Sequence, residues 1–184
     1  MKKSTKILII VGAVLLALII LLVATYNGMV SKEESVQTKI SDVKVQLQRR
    51  ADLTKNLVET VKGYAEYEQS TLMAVTEART AVSKATTPDE LDAADRQLTS
   101  AINVMVEAYP DLKASDAYTS FMDSYTGTEN RVAYARKESN EAIRAYNASI
   151  KRFPNNIFAG IFGFDTYEYF ENEPGTESAP DVDF

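Results

Sequence analysis

Histidine, cysteine and tryptophan are all missing from the 184 residues. Without cysteine there is no disulfide framework, thiol nucleophile or thiolate metal site. Without histidine the commonest general base and the commonest neutral metal ligand are gone. Ser-His-Asp and Cys-His catalytic arrangements are therefore excluded, as are the usual zinc ligand sets. No cofactor is expected. Each end also lacks charge of one sign: residues 1–24 carry Lys2, Lys3 and Lys6 and no acid, whereas residues 155–184 carry seven acids and no Lys or Arg. The net charge is −6 and there is no basic stripe to neutralise phosphates, which argues against nucleic acid as a partner.

One long hydrophobic run is present. Residues 7–24 read ILIIVGAVLLALIILLVA, 18 positions without a charged or strongly polar side chain. At 1.5 Å per residue the run covers about 27 Å, close to the hydrocarbon thickness of a bilayer. It is longer than the usual apolar core of a cleaved signal, and LLVATYNG makes a poor cleavage site, so a retained anchor is expected. Tyr26 follows at the depth aromatic rings favour. The three lysines packed ahead of the run favour an N-terminus in the cytoplasm and the remaining chain outside it.

Glycine and proline are scarce in the middle of the chain. Between residues 31 and 152 only Gly63, Gly127, Pro88 and Pro110 occur, so long helices are expected. Apolar residues recur at steps of three, four and seven. One run is Val36, Ile40, Val43 and Leu47; another is Leu53, Leu57, Val61, Tyr64, Leu72, Val75 and Val82. A third holds Leu91, Leu98, Ile102 and Met105, and the fourth continues from Tyr118 and Phe121 to Ile143, Tyr146 and Ile150. Such spacing is the stripe of an amphipathic helix. Thr87-Pro88-Asp89-Glu90 reads as a capping box with proline at the first helical position. Pro110 should end the preceding helix near Tyr109. Asp89, Asp92 and Asp95 are expected on a solvated face, since a di-iron bundle would need Glu-x-x-His pairs. The fold class is all-α: a transmembrane helix, then an antiparallel four-helix bundle with long, coiled-coil-like helices. The first bundle helix should continue from the membrane helix, with Gly28 as a bend.

The terminal segment differs in composition. Six of the seven phenylalanines fall in residues 153–184. Phe153, Ile157, Phe158, Ile161, Phe162, Phe164, Tyr167 and Phe170 are the candidate interaction residues, read either as a cap packed on the bundle or as a docking surface. The expected organisation is a basic tail (1–6), a membrane helix (7–25), a bundle (26–153), the aromatic segment (154–170) and an acidic flexible tail (171–184).

Tyr26-Asn27 after a single apolar helix, VQLQRRADLTKNLVETVKGYAEYE at residues 45–68, RVAYARKESNEAIRAYNASIKRFPNNIFAGIFGF at 131–164 and the closing PDVDF together resemble the LemA family of bacterial membrane proteins. The likeness covers nearly the whole chain in order. One departure is Thr54-Lys55-Asn56, where members often have Ile-Pro-Asn. The resemblance implies a four-helix bundle on a membrane anchor with no established catalytic activity. It also implies a short N-terminus outside the cell, opposite to the lysine reading, which is kept here. Within the shared stretches Tyr26, Asn27, Leu53, Asn56 and Leu57 are expected to be structural, as are Tyr146 and Asn147, in core or capping roles. Arg49, Arg50 and Asp52 are expected to mark a junction between the first two bundle helices and to form a buried or capping ion pair there.

The expected function is that of a non-enzymatic, membrane-anchored interaction or scaffold module at the bacterial envelope. Its expected partners are the lipid bilayer, another copy of the chain and an envelope protein. Two other readings compete with it. One is an envelope sensor whose bundle binds an apolar small ligand. The other is a cell-wall glycosidase built on two carboxylates, which requires both in one cleft.

Overall fold

The computed structural model describes residues 3–63 and 69–171, with side chains from Lys6 onward. Lys2, Tyr64, the acidic tail from residue 172 with Phe184, and the closing PDVDF motif lie outside the described residues. Among the described residues there are five α-helices and no strand: α1 (Lys3–Lys62), α2 (Gln69–Lys84), α3 (Pro88–Ala108), α4 (Asp116–Lys151) and α5 (Asn155–Phe162), with a short 3-10 helix (Pro110–Ala114) before α4.

The course of α1 corrects one expectation. Arg49, Arg50 and Asp52 mark no junction, because α1 runs unbroken through them, and through Gly28, to Lys62. The physical reason is the absence of a breaker: residues 29–62 contain neither glycine nor proline, and Thr54 lies in the triplet where the resembled pattern has proline. Thr54 is itself buried and turns its hydroxyl back to the Ala51 carbonyl at 2.7 Å.

The chain forms two compact units. One runs to Gln37 and includes Glu141–Tyr167; the other is Thr38–Asn140 with the chain from Glu168. In the second unit the core joins Leu57 and Val61 of α1, Leu72 and Val75 of α2, Leu98, Ile102 and Met105 of α3, Leu112, and Phe121 of α4. These are the residues of the apolar stripes, removed from water by one another. Helices α2 and α3 pack together across a connection fixed by the capping box. Thr87 Oγ1 accepts the Glu90 N–H at 3.3 Å, and Glu90 Oε2 accepts the Thr86 and Thr87 N–H groups at 2.7 and 3.3 Å. These donors, Thr86 first, hold the Glu90 carboxyl below its ordinary value. Lys44 Nζ donates to the Ala85 carbonyl at 2.7 Å, satisfying an acceptor beyond the end of α2.

In the first unit Met29, Val36, Ile143, Tyr146, Ile150 and Ala159 are buried. Helix α5 ends where Gly163 takes a left-handed conformation (φ 75°) that favours glycine, and the Phe164 N–H closes the turn on the Ala159 carbonyl at 3.0 Å.

Candidate functional site

The polar centre of the second unit is a set of buried charges. Asp92 and Asp95 are 3% and 6% exposed, so neither lies on a solvated face as the sequence suggested; only Asp89 of the three does. Arg50, 5% exposed, donates from Nη1 to both Asp95 oxygens at 2.9 and 3.2 Å. Arg136 Nη2 donates to Asp95 Oδ2 at 3.0 Å and stands 2.8 Å from Asp92 Oδ1. Two guanidinium groups thus face two carboxylates, and the pairing accounts for the burial: an unpaired charge at this depth would be far more costly.

Tyr125 supports the arginine. The Arg50 guanidinium lies 4.1 Å from the centre of its ring and also donates to its hydroxyl, which contacts Thr99 Oγ1 at 3.2 Å. Burial pushes the Tyr125 phenol up from its ordinary value. Burial likewise raises the Asp92 carboxyl, against the Glu171 N–H and the Arg136 charge, which both favour ionisation. The Glu171 N–H reaches Asp92 Oδ2 at 2.8 Å, and the Glu171 carboxylate pairs with Arg96 at 2.6 Å.

A cleft of about 630 Å³ opens beside this network, and Arg50, Asp92, Asp95, Arg96, Arg136 and Glu171 contribute to its wall. Asp92 and Asp95 are therefore two carboxylates in one cleft. Both are held by guanidinium groups, and Asp92 also accepts a main-chain donor. Among the described residues no cluster of three or more Asp or Glu side chains is placed to hold a metal ion.

The aromatic segment divides by environment. Phe170 is buried in the second unit, where Asn140 grips its backbone: Nδ2 donates to the Phe170 carbonyl at 3.0 Å and Oδ1 accepts its N–H at 2.9 Å. The same device occurs in the first unit. Asn147 Nδ2 donates to the Tyr167 carbonyl at 2.8 Å, and Oδ1 accepts the Tyr167 N–H at 3.0 Å. An asparagine amide offers a donor and an acceptor side by side, so it pairs with extended backbone as another peptide unit would. Tyr146 packs its ring on that of Tyr167 at 5.4 Å, and the Tyr167 hydroxyl reaches Glu33 at 3.4 Å.

Phe158 and Phe164 are half-buried, whereas Phe153, Ile157, Ile161 and Phe162 are exposed. Tyr26 meets Phe162 and Phe164 edge to face at 5.0 and 5.7 Å. Asn27, Arg49, Asp52 and Asn56 are exposed; Leu53 is half-buried and Leu57 fully buried. Asp52 pairs on the surface with Lys55 and Arg79. Sequence reasoning missed Asn140, Asp95 and Arg136. A signal existed for Asp95, which stands four residues after Leu91 and three before Leu98, on the apolar stripe itself.

An 18-residue stretch of α1 is long and apolar enough to cross a membrane, and none of it is buried by the rest of the chain. A helical protein with a candidate membrane span on its first helix is the class these features define. The LemA family model matches residues 39–184, and the chain belongs to that family. It is similar to the magnetosome protein MamQ 2 of Paramagnetospirillum magneticum, with 28% identity over 88% of this chain and 70% of the relative. The magnetosome protein MamQ of Magnetospirillum gryphiswaldense shows 28% identity over 89% and 71%. Protein LemA of Metamycoplasma hominis shows 26% identity over 72% of this chain and 63% of its own length.

Proposed function

We propose that this LemA-family chain is a membrane-anchored antiparallel helical bundle that acts by binding other proteins, and not by catalysis, at the bacterial cytoplasmic membrane. The body following the span lies outside the cytoplasm, and the chain associates with other copies of itself and with an envelope protein. The observation that carries this reading is the fully exposed 18-residue apolar run at the start of the same helix that later contributes Leu57 and Val61 to a core. Such a run is stable only in an apolar solvent.

The glycosidase alternative has its carboxylate pair in Asp92 and Asp95, but the oxygens of both already face Arg50, Arg136 and the Glu171 N–H. A general acid must be free to give up a proton to the leaving group. The sensor alternative asks for an apolar pocket, and the cleft beside the ion-pair network is lined mainly by charged and polar side chains.

Crosslinking in intact membranes, followed by mass spectrometry of co-purifying proteins, tests the interaction reading. Reproducible crosslinks to an envelope protein or to a second copy are expected; monomeric, uncrosslinked protein throughout would overturn it. Protease accessibility of residues beyond the span in sealed spheroplasts tests the side, with cleavage from outside expected.

A further inference from the structure

Helix α5 carries apolar surface that nothing among the described residues covers. Phe153 is 81% exposed, Ile161 69% and Ile157 52%. Ile157 and Ile161, four residues apart, share one face of α5, and Phe153 lies in the turn just ahead of that helix. Large apolar side chains grouped in this way mark a contact surface.

Tyr26 fixes what the contact is. Its ring packs on Phe162 at 5.0 Å and Phe164 at 5.7 Å. Tyr26 stands two positions after Ala24, the last residue of the apolar run, which is roughly 3 Å along a helix axis. The end of α5 is therefore within one ring contact of the point where α1 leaves the hydrocarbon, at the depth where aromatic side chains partition. Lys151 and Arg152, both exposed, directly precede the apolar face. A short apolar helix with adjoining basic side chains suits a lipid interface, where the chains enter the acyl boundary and the cations meet phosphate.

We infer that α5 is a second membrane contact, lying in the headgroup region of the bilayer that α1 crosses, with Phe153, Ile157 and Ile161 inserted and Lys151 and Arg152 at anionic headgroups. The inference rests on the membrane reading proposed above. Since the chain has no tryptophan, a single Ile161→Trp substitution at an exposed site gives an indole with no background. The full-length variant is reconstituted into phosphatidylcholine–phosphatidylglycerol vesicles, with or without bromine on the acyl chains. Emission is expected to fall by about twofold or more in brominated vesicles and to resist aqueous iodide, as for a side chain at the acyl boundary. An indole quenched by iodide and indifferent to bromine lies in water and overturns the inference. One shielded from both is covered by protein, and overturns it in favour of a contact between copies. Flotation of the same vesicles after alkaline carbonate keeps the two readings apart: protein that floats without bromine quenching leaves the anchor intact and rejects only α5, whereas protein that fails to float rejects both. Phe153→Trp repeats the measurement in the turn ahead of α5 and guards against misfolding at a single site.

Discussion

Both units hold an asparagine clamp, but among the described residues only the second adds a network of paired charges to it. In the second, Arg50, Asp92 and Asp95 are buried and Arg136 partly so, each paired with a side chain of opposite charge type. In the first, the main polar device is a neutral amide, Asn147, that grips the backbone of Tyr167. Charges at depth contribute little net stability when complete and cost much when one is removed. A neutral clamp is a smaller stake either way. The charged network should therefore be the more fragile of the two under single substitution, and the more tolerant of paired replacement.

That contrast breaks most readily at Arg50. Arg50→Ala leaves Asp95 with Arg136 alone and should cost about 3–5 kcal/mol, read from thermal or urea melts of the full chain in detergent. Asp95→Ala should cost a similar amount, contrary to what a solvated face implies. Arg50→Met combined with Asp95→Leu should recover most of the loss, since no charge is then stranded. A double variant as unstable as the sum of the singles would mean that Arg50 and Asp95 are not coupled, so neither loss comes from stranding the partner and the contrast is wrong.

Apolar sites give the reference scale, because both units contain one that is fully buried. Leu57→Ala in the second unit and Ile143→Ala in the first should each cost about 2–5 kcal/mol. Asn147→Ala and Asn140→Ala come next. Each strands a main-chain N–H and C=O, at a cost of about 1–3 kcal/mol. Amide hydrogen exchange should rise at Tyr167 in the first variant and at Phe170 in the second. Asn140→Asp sharpens the point: the carboxylate still accepts the Phe170 N–H but can no longer donate to its carbonyl. It should lie between wild type and Asn140→Ala.

How much of this could be read from the sequence follows from the range of each interaction. The capping box at Thr87–Glu90 and the stop at Tyr109 are local, and they stand where the sequence placed them. The stripes that bury Leu57, Leu98 and Ile143 need only a 3.6-residue period. The burial of Asp95 depends on Arg50 and Arg136, 45 and 41 residues away, and no local pattern announces such partners. The stripe position of Asp95 was the available clue, outweighed by the expectation that an acid in an early helical turn faces water. Asn140 was invisible for the same reason, since its partner lies 30 residues on. The continuity of α1 past Arg50 was legible in the missing proline, but apolar spacing alone cannot distinguish one long helix from two in phase.

The smallest expected effect tests the first unit from inside. Tyr146 is fully buried, and among the described residues its hydroxyl has no hydrogen-bond partner. Burial, with smaller contributions from Glu33, Tyr167 and Asp165, pushes the phenol from its ordinary 10.0 up to about 12. Between these values the unfolded chain has released the proton while the folded chain keeps it, so stability must fall as pH rises above 10. Below that window the phenol is neutral in both states and contributes no slope. Tyr146→Phe removes the titrating group along with the unpaired hydroxyl. At pH 7 it should therefore match wild type or gain, by at most about 1 kcal/mol, because no hydrogen bond is lost and a desolvated polar group is removed. In melts at successive pH values the two proteins should diverge only above pH 10, with the variant the more stable. A variant that loses stability at pH 7 would show that the hydroxyl has a partner, such as an ordered water, and that the first unit also depends on a buried polar contact.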